Sequence, residues 1–157
     1  MEILSIGGEI GLIGRIRKGI RIFSKDVVKG IGDDAAVLKN GKNDYMLLTT
    51  GMVIEGGHFS RDYWNPEQVG MLAIEQNASD IAAMGGIPKY ALISLALPEK
   101  IDTGFIDKLY KGINKKAKKY RIDIVGGNTA HSEKIIINVT LLGFVEKKFL
   151  ALRSGAK

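Results

Sequence analysis

Two adjacent acids, Asp33 and Asp34, follow the glycine-spaced stretch Gly30-Ile31-Gly32 and lead into the apolar run Ala35 to Leu38. Paired carboxylates on a glycine-freed turn suit a hard cation such as Mg2+, which takes one or two carboxylates and fills its shell with phosphate oxygens. An Asp-Asp pair alone is more commonly a solvated turn. Asp80 is the second candidate. It lies three residues after Asn77, beside the helical stripe Ile74, Asn77, Ile81 and Met84. A carboxylate there is costly to bury unless it is paired or metal-bound; the other reading is a solvent-facing acid near a helix end, where the macrodipole disfavours it. Thr49-Thr50 followed by Gly56-Gly57-His58-Phe59 outlines either a polar site or a hairpin end with an exposed histidine. Gly126-Gly127-Asn128-Thr129 reads as a glycine-freed turn at a strand end, a geometry shared by phosphate sites and plain turns.

Two familiar nucleotide signatures are absent. Gly30 to Ala35 matches G-x-G-x-x-A on paper, but that fingerprint needs a strand before it and a helix after it, and here a strand follows. No P-loop spacing occurs.

The elements that must position these residues alternate. Ile10, Ile13, Ile16 and Ile20 predict an amphipathic helix from Gly8 to Ile20. Ala35 to Lys39 and Asp44 to Thr50 predict strands joined through Asn40-Gly41, with Met52 to Ile54 prolonging the second. Asn65-Pro66-Glu67 predicts a helix start, running to about Met84 and stopped by Gly85-Gly86. Further strands are expected at Tyr90–Leu97, Ile122–Val125 and Ile135–Val145, and a helix at Thr103–Tyr120. This order fits an α+β layer, a mixed β-sheet with helices on one face. Tyr90–Leu97 and Ile135–Val145 are apolar on both parities, so the other face also wants burial, most economically in a sheet-to-sheet homodimer or against a second domain.

Composition sets the limits. The 157 residues contain no cysteine and only two histidines, which excludes disulfides, thiolate catalysis and Cys- or His-rich metal sites. No apolar run approaches a membrane span and no secretory signal opens the chain, so a cytoplasmic protein is expected. The formal charge of +6 is local: Lys108 to Arg121 carries seven basic residues and no acid, leaving 16 basic against 17 acidic elsewhere. That face reads as a solvated helix surface. Nucleic-acid binding ranks last, because no aromatic platform accompanies it.

Taken in order, Gly30–Leu38 (GIGDDAAVL), Thr49–Phe59 (TTGMVIEGGHF), Asn77–Gly86 (NASDIAAMGG), Leu92–Pro98 and Val125–Thr129 (VGGNT) resemble the N-terminal domain of the thiamine-monophosphate kinase family, within the aminoimidazole ribonucleotide synthetase-like superfamily. Gly8–Ile16 and Leu152–Lys157 (LRSGAK) resemble it too. The resemblance implies one N-terminal domain over residues 1–157 that binds ATP and Mg2+ and dimerises, with the family's C-terminal domain absent from this sequence. It also implies phosphoryl transfer from ATP to thiamine monophosphate. By the same resemblance Asp33, Asp34, Thr49, Thr50, Asp80 and Asn128 fall at metal positions, Gly127, Asn128 and Arg153 at the nucleotide, and His58 at the substrate. No residue is implied as an acid–base catalyst.

Two positions depart from the family pattern. Its TTD is Thr49-Thr50-Gly51 here, and its GGDT is Gly126-Gly127-Asn128-Thr129. Each change removes a metal-binding carboxylate. These changes keep a second expectation open, a non-catalytic nucleotide-binding and dimerisation module, or another member of the superfamily.

Overall fold

The computed structural model describes residues 2–155. Six strands form one sheet in the order β1-β2-β3-β6-β4-β5. They are β1 (Val27–Lys29), β2 (Ala36–Asn40), β3 (Asp44–Ile54), β4 (Ile87–Leu97), β5 (Asp123–His131) and β6 (Ile136–Glu146). Neighbours pair antiparallel except β4 and β5, which run parallel. The helices are α1 (Gly8–Gly19), α2 (Pro66–Ala83) and α3 (Thr103–Tyr120). The α+β mixed sheet read from the sequence is the observed fold.

Strand alternation sorts the two faces. On β6, Ile137, Val139, Leu141 and Val145 are buried on the side that α2 and α3 cover, with Leu47 and Val53 of β3 and Ile93 of β4. On the opposite side Leu48, Met52, Tyr90 and Leu92 remain exposed.

Helix α2 begins where Asn65 and Gln68 satisfy each other's backbone N–H groups in a capping box, with Pro66 in the first turn. It crosses α3 at very short range. A Cβ on Gly70 would lie 2.1 Å from the Leu109 carbonyl, and one on Gly112 would lie 1.9 Å from that of Glu67. Only glycine allows this approach, which lets Ile74, Ile81, Leu109 and Ile113 pack without solvent contact. Each such side chain contributes roughly 1.5–3 kcal/mol on burial.

The basic face of α3 is only partly solvated. Lys111 and Lys115 reach Glu67 on α2 at 2.9 and 3.2 Å. Lys116 pairs with Glu75, which also accepts from the Tyr120 hydroxyl at 3.1 Å. These partners hold both carboxyls below the usual range, Lys111 leading for Glu67 and Lys116 for Glu75. Lysines read as surface charge are thus in part a clamp between two helices.

Three further features differ from what the sequence suggests. The α1 helix forms, yet it has no buried residue, and Ile10 is 84% exposed. A short strand, β1, escaped notice because three residues carry no period. Gly126-Gly127-Asn128-Thr129 is not a turn: β5 continues through it, pairing Gly127 with Ile93 and Asn128 with Ser94 after a bulge. Glycine's weak strand preference is overridden there by the ladder that β4 offers.

Candidate functional site

The acidic turn is held from three sides. The Ala35 N–H donates to Met84 Sδ at 3.1 Å, fastening the turn to the end of α2. Asp33 faces inward, its side chain 1% exposed. Its Oδ1 accepts from the backbone N–H groups of Asp34 and Arg153, each at 3.3 Å. Its Oδ2 lies 3.6 Å from Lys29 Nζ, near enough for charge attraction and too far for a hydrogen bond. Asp33 therefore builds the turn, and Asp34 presents the outward carboxylate.

Asp34 is paired with Arg153, whose Nε lies 2.9 Å from Oδ1 and whose Nη2 contacts the same oxygen. Asp34, Ala83, Leu150 to Arg153 and Gly155 line a cleft of about 410 Å³. Asp80 projects from α2 toward β3 and accepts a hydrogen bond from Thr49 Oγ1 at 3.0 Å. Burial raises the Asp80 carboxyl above its ordinary value and the Asp34 charge adds to this, while Thr49 and Arg153 oppose it. Asp34, Thr49, Asp80 and Arg153 thus share one electrostatic neighbourhood.

Next to them lies an unusual contact. Asn77 is fully buried, and its Nδ2 donates to the Ala73 carbonyl at 3.0 Å. That bond fixes the amide orientation and leaves Oδ1 without a partner. A Cβ on Gly51 would lie 3.0 Å from this Oδ1. The amide thus crowds the place where a side chain at position 51 would begin.

The other sequence candidates do not join this cluster. Thr50 is on the opposite face of β3, where its Oγ1 donates to Asn138 Oδ1 at 3.1 Å and accepts from Thr140 at 3.3 Å. Adjacent strand residues point to opposite faces, so Thr49 and Thr50 cannot both meet Asp80 through their side chains. Asn128 pairs through Ser94 and Asn138 with Met52, on that same opposite face. Its strand is three inter-strand spacings from β3, roughly 14 Å. Gly127 lies beside it. His58 sits past the end of β3, exposed, its Nδ1 accepting from the Ile54 N–H at 3.1 Å, so Nε2 is the free nitrogen.

Gly126 to Thr129 do line a second groove, of about 380 Å³, together with Ile93 and Tyr110 of α3. Tyr110 also packs against the core, in keeping with the amphipathic pattern of α3. Lys29 was missed because its partner Asp33 reads as a ligand.

The donor set fits a hard divalent cation that arrives with phosphate. Asp34 and Asp80 are carboxylates, Thr49 adds a hydroxyl, and Mg2+ needs only one or two carboxylates when phosphate oxygens complete its shell. Among the described residues no group of three His, Cys, Asp or Glu is placed to hold a metal unaided.

Residues 32–145 match the family model for AIR synthase related protein, N-terminal domain. The chain belongs to that family. It is 43% identical over 139 residues to a thiamine-monophosphate kinase of Bacillus subtilis, covering 87% of this chain and 42% of that protein. It is 44% identical over 150 residues to the thiamine-monophosphate kinase of Aquifex aeolicus, covering 96% and 46%. A solved structure of AaThiL complexed with AMPPCP and TMP superimposes with a TM-score of 0.87 at 41% identity, over 100% of this chain and 47% of that one. The chain spans less than half the length of each of these relatives. The resemblance read from the ordered motifs is therefore the relationship found.

Proposed function

We propose that this chain is the nucleotide- and cation-binding part of a thiamine-monophosphate kinase, acting on ATP and thiamine monophosphate with Mg2+. The observation that carries this reading is that Asp80, hydrogen-bonded by Thr49, feels the charges of Asp34 and Arg153, which together line an adjoining cleft, in a chain 43% identical to such a kinase. The AMPPCP and TMP held by the structural relative support the same pair of substrates.

Phosphoryl transfer asks a protein mainly for positioning and charge neutralisation. Bound Mg2+ would supply charge neutralisation at the transferring phosphate, held by Asp34 and Asp80 with the Thr49 hydroxyl. Arg153 offers a planar fork for phosphate oxygens. The Tyr110 ring beside Gly127 and Asn128 offers a flat wall for a nucleotide base. His58, with Nε2 free, offers a donor or acceptor to the second substrate.

Assembly and location belong to the same reading. The exposed face carrying Leu48, Met52, Tyr90 and Leu92 is covered in a sheet-to-sheet homodimer, and a further domain in cis or trans completes the acceptor site. The protein acts in the cytoplasm; among the described residues no helix is long and apolar enough to cross a membrane.

Gly51 and Asn128 favour a second reading, a module that binds nucleotide without turning it over, because neither supplies the carboxylate of the family pattern. Incubating the chain together with the C-terminal half of the Aquifex aeolicus thiamine-monophosphate kinase, ATP, Mg2+ and thiamine monophosphate, and assaying thiamine diphosphate by chromatography, separates the two. Product supports the kinase. Binding of Mg·ATP with no product supports the module, and neither product nor binding removes both.

A further inference from the structure

We propose that Arg153 is a resident counter-ion for Asp34, displaced only when nucleotide phosphates take its guanidinium, so that the chain binds a divalent cation poorly alone and well together with nucleotide. The proposal rests on the kinase reading for the identity of the nucleotide. Its first half, competition for Asp34, stands on this chain's residues alone.

One residue covers both acids of the turn. The Arg153 backbone N–H bonds Asp33 Oδ1, and its guanidinium bonds Asp34 Oδ1 through Nε and Nη2. The Arg153 side chain is 69% exposed and that of Asp34 only 18%, so the guanidinium lies over the carboxylate on its solvent side. A cation entering the cleft meets that positive charge before it meets Asp34. Both cations want the same oxygen, and neither tolerates the other at contact distance.

A polyphosphate changes the balance. It gives the guanidinium a bidentate partner with more negative charge than one carboxylate. Arg153 then turns to phosphate and Asp34 to the cation that the phosphate brings. Asp34 faces a positive charge before and after the exchange, so no partly buried carboxylate is left uncompensated. With no side-chain ligand from Gly51, the remaining donors are too few to draw the cation in unaided.

The test uses the full chain, with Mn2+ followed by electron paramagnetic resonance and nucleotide by calorimetry. Without nucleotide, Arg153→Met should bind Mn2+ about three- to tenfold more tightly than wild type, the range of a charge-assisted pair at a surface. Lys29→Met removes the same charge nearby, from Asp33 rather than Asp34, and should gain less. In excess EDTA, Asp34→Asn should bind metal-free ATP about three- to tenfold more tightly, because Arg153 is already free. Asp80→Asn, an equal loss of charge without an Arg153 hydrogen bond, should gain less.

A gain in Arg153→Met no larger than that in Lys29→Met overturns the competition for Asp34. A gain in Asp34→Asn no larger than that in Asp80→Asn overturns the hand-over to phosphate. Circular dichroism checks each fold, and Arg153→Gln replaces Arg153→Met should the latter not fold. If wild type binds ATP under no condition, the kinase reading and the hand-over both fall, and the Mn2+ arm still decides whether Arg153 guards Asp34.

Discussion

Gly51 of β3 and Asn77 of α2 are matched to each other: a Cβ at position 51 would stand 3.0 Å from Asn77 Oδ1 and 3.1 Å from Nδ2. The crossing of strand and helix beside Asp80 depends on that missing methyl group. Gly51→Ala should therefore cost about 1 kcal/mol or slightly more, the usual scale for overpacking a filled site. In an Asn77→Ala background the same change should cost close to nothing. Urea denaturation of the four proteins measures the coupling, and additive effects would show that the two residues do not constrain each other.

Restoring the family acid must meet the same contact. Gly51→Asp places a carboxylate toward Asp80 and forces Asn77 to swing away from Ala73. Lower thermal stability and tighter Mg·ATP binding are expected together. A variant that gains stability instead would show that Asn77 does not crowd position 51.

Much of this arrangement was legible beforehand. The Asn65-Pro66 start of α2, the existence of β6 and the hairpin between β2 and β3 follow from local chemistry that tertiary contacts reinforce. Asp34, Thr49 and Asp80 stood out as polar groups next to apolar runs. The Thr50 side chain faces away from Asp80 for a reason already present in the chain, since neighbours in a strand face opposite sides. Other features lay beyond local reading. Arg153 and Asp34 are 119 positions apart, and no spacing rule joins them. The continuation of β5 through Gly126-Gly127 depends on a partner strand, and Tyr110 packs against the core while also lining the groove beside it.

Asp80 should carry a stability signature of function. Its carboxyl is raised, first by burial, so the folded chain binds the carboxyl proton more tightly than the unfolded chain does. The tighter binding supports folding fully below the unfolded carboxylate value and is lost as pH rises through the folded one. Asp80→Asn should therefore melt higher than wild type at pH 7, with the difference shrinking toward pH 3. Thermal melts across that range check the sign; a variant less stable at pH 7 would mean that the Thr49 contact outweighs burial.

The clamp between α2 and α3 separates lysines that look alike in the sequence. Lys115 meets Glu67, whereas no ion pair is found for Lys118 among the described residues. Lys115→Glu should cost about 0.5–1 kcal/mol at low salt and less at high salt, and Lys118→Glu should stay within about 0.5 kcal/mol of wild type. Equal costs for the two would show that Lys115 and Glu67 do not clamp the helices together.

The open face of the sheet predicts assembly. Leu92 lies on β4, one strand in from the sheet edge, and is 46% exposed. If that face is covered by a second copy, light scattering at micromolar concentration should return a dimer, and Leu92→Lys should return a monomer with unchanged circular dichroism. A wild-type monomer would leave this face to another partner.

Asp34 and Asp80 are proposed to hold a phosphate-bound divalent cation together. Calorimetric titration of Mg·ATP into wild type, Asp34→Asn and Asp80→Asn tests it most directly. Saturable binding to wild type is expected, with a loss of about tenfold or more in each variant, the weight of one charged ligand contact. Equal affinity in all three folded proteins would contradict the claim and move the nucleotide elsewhere on the chain.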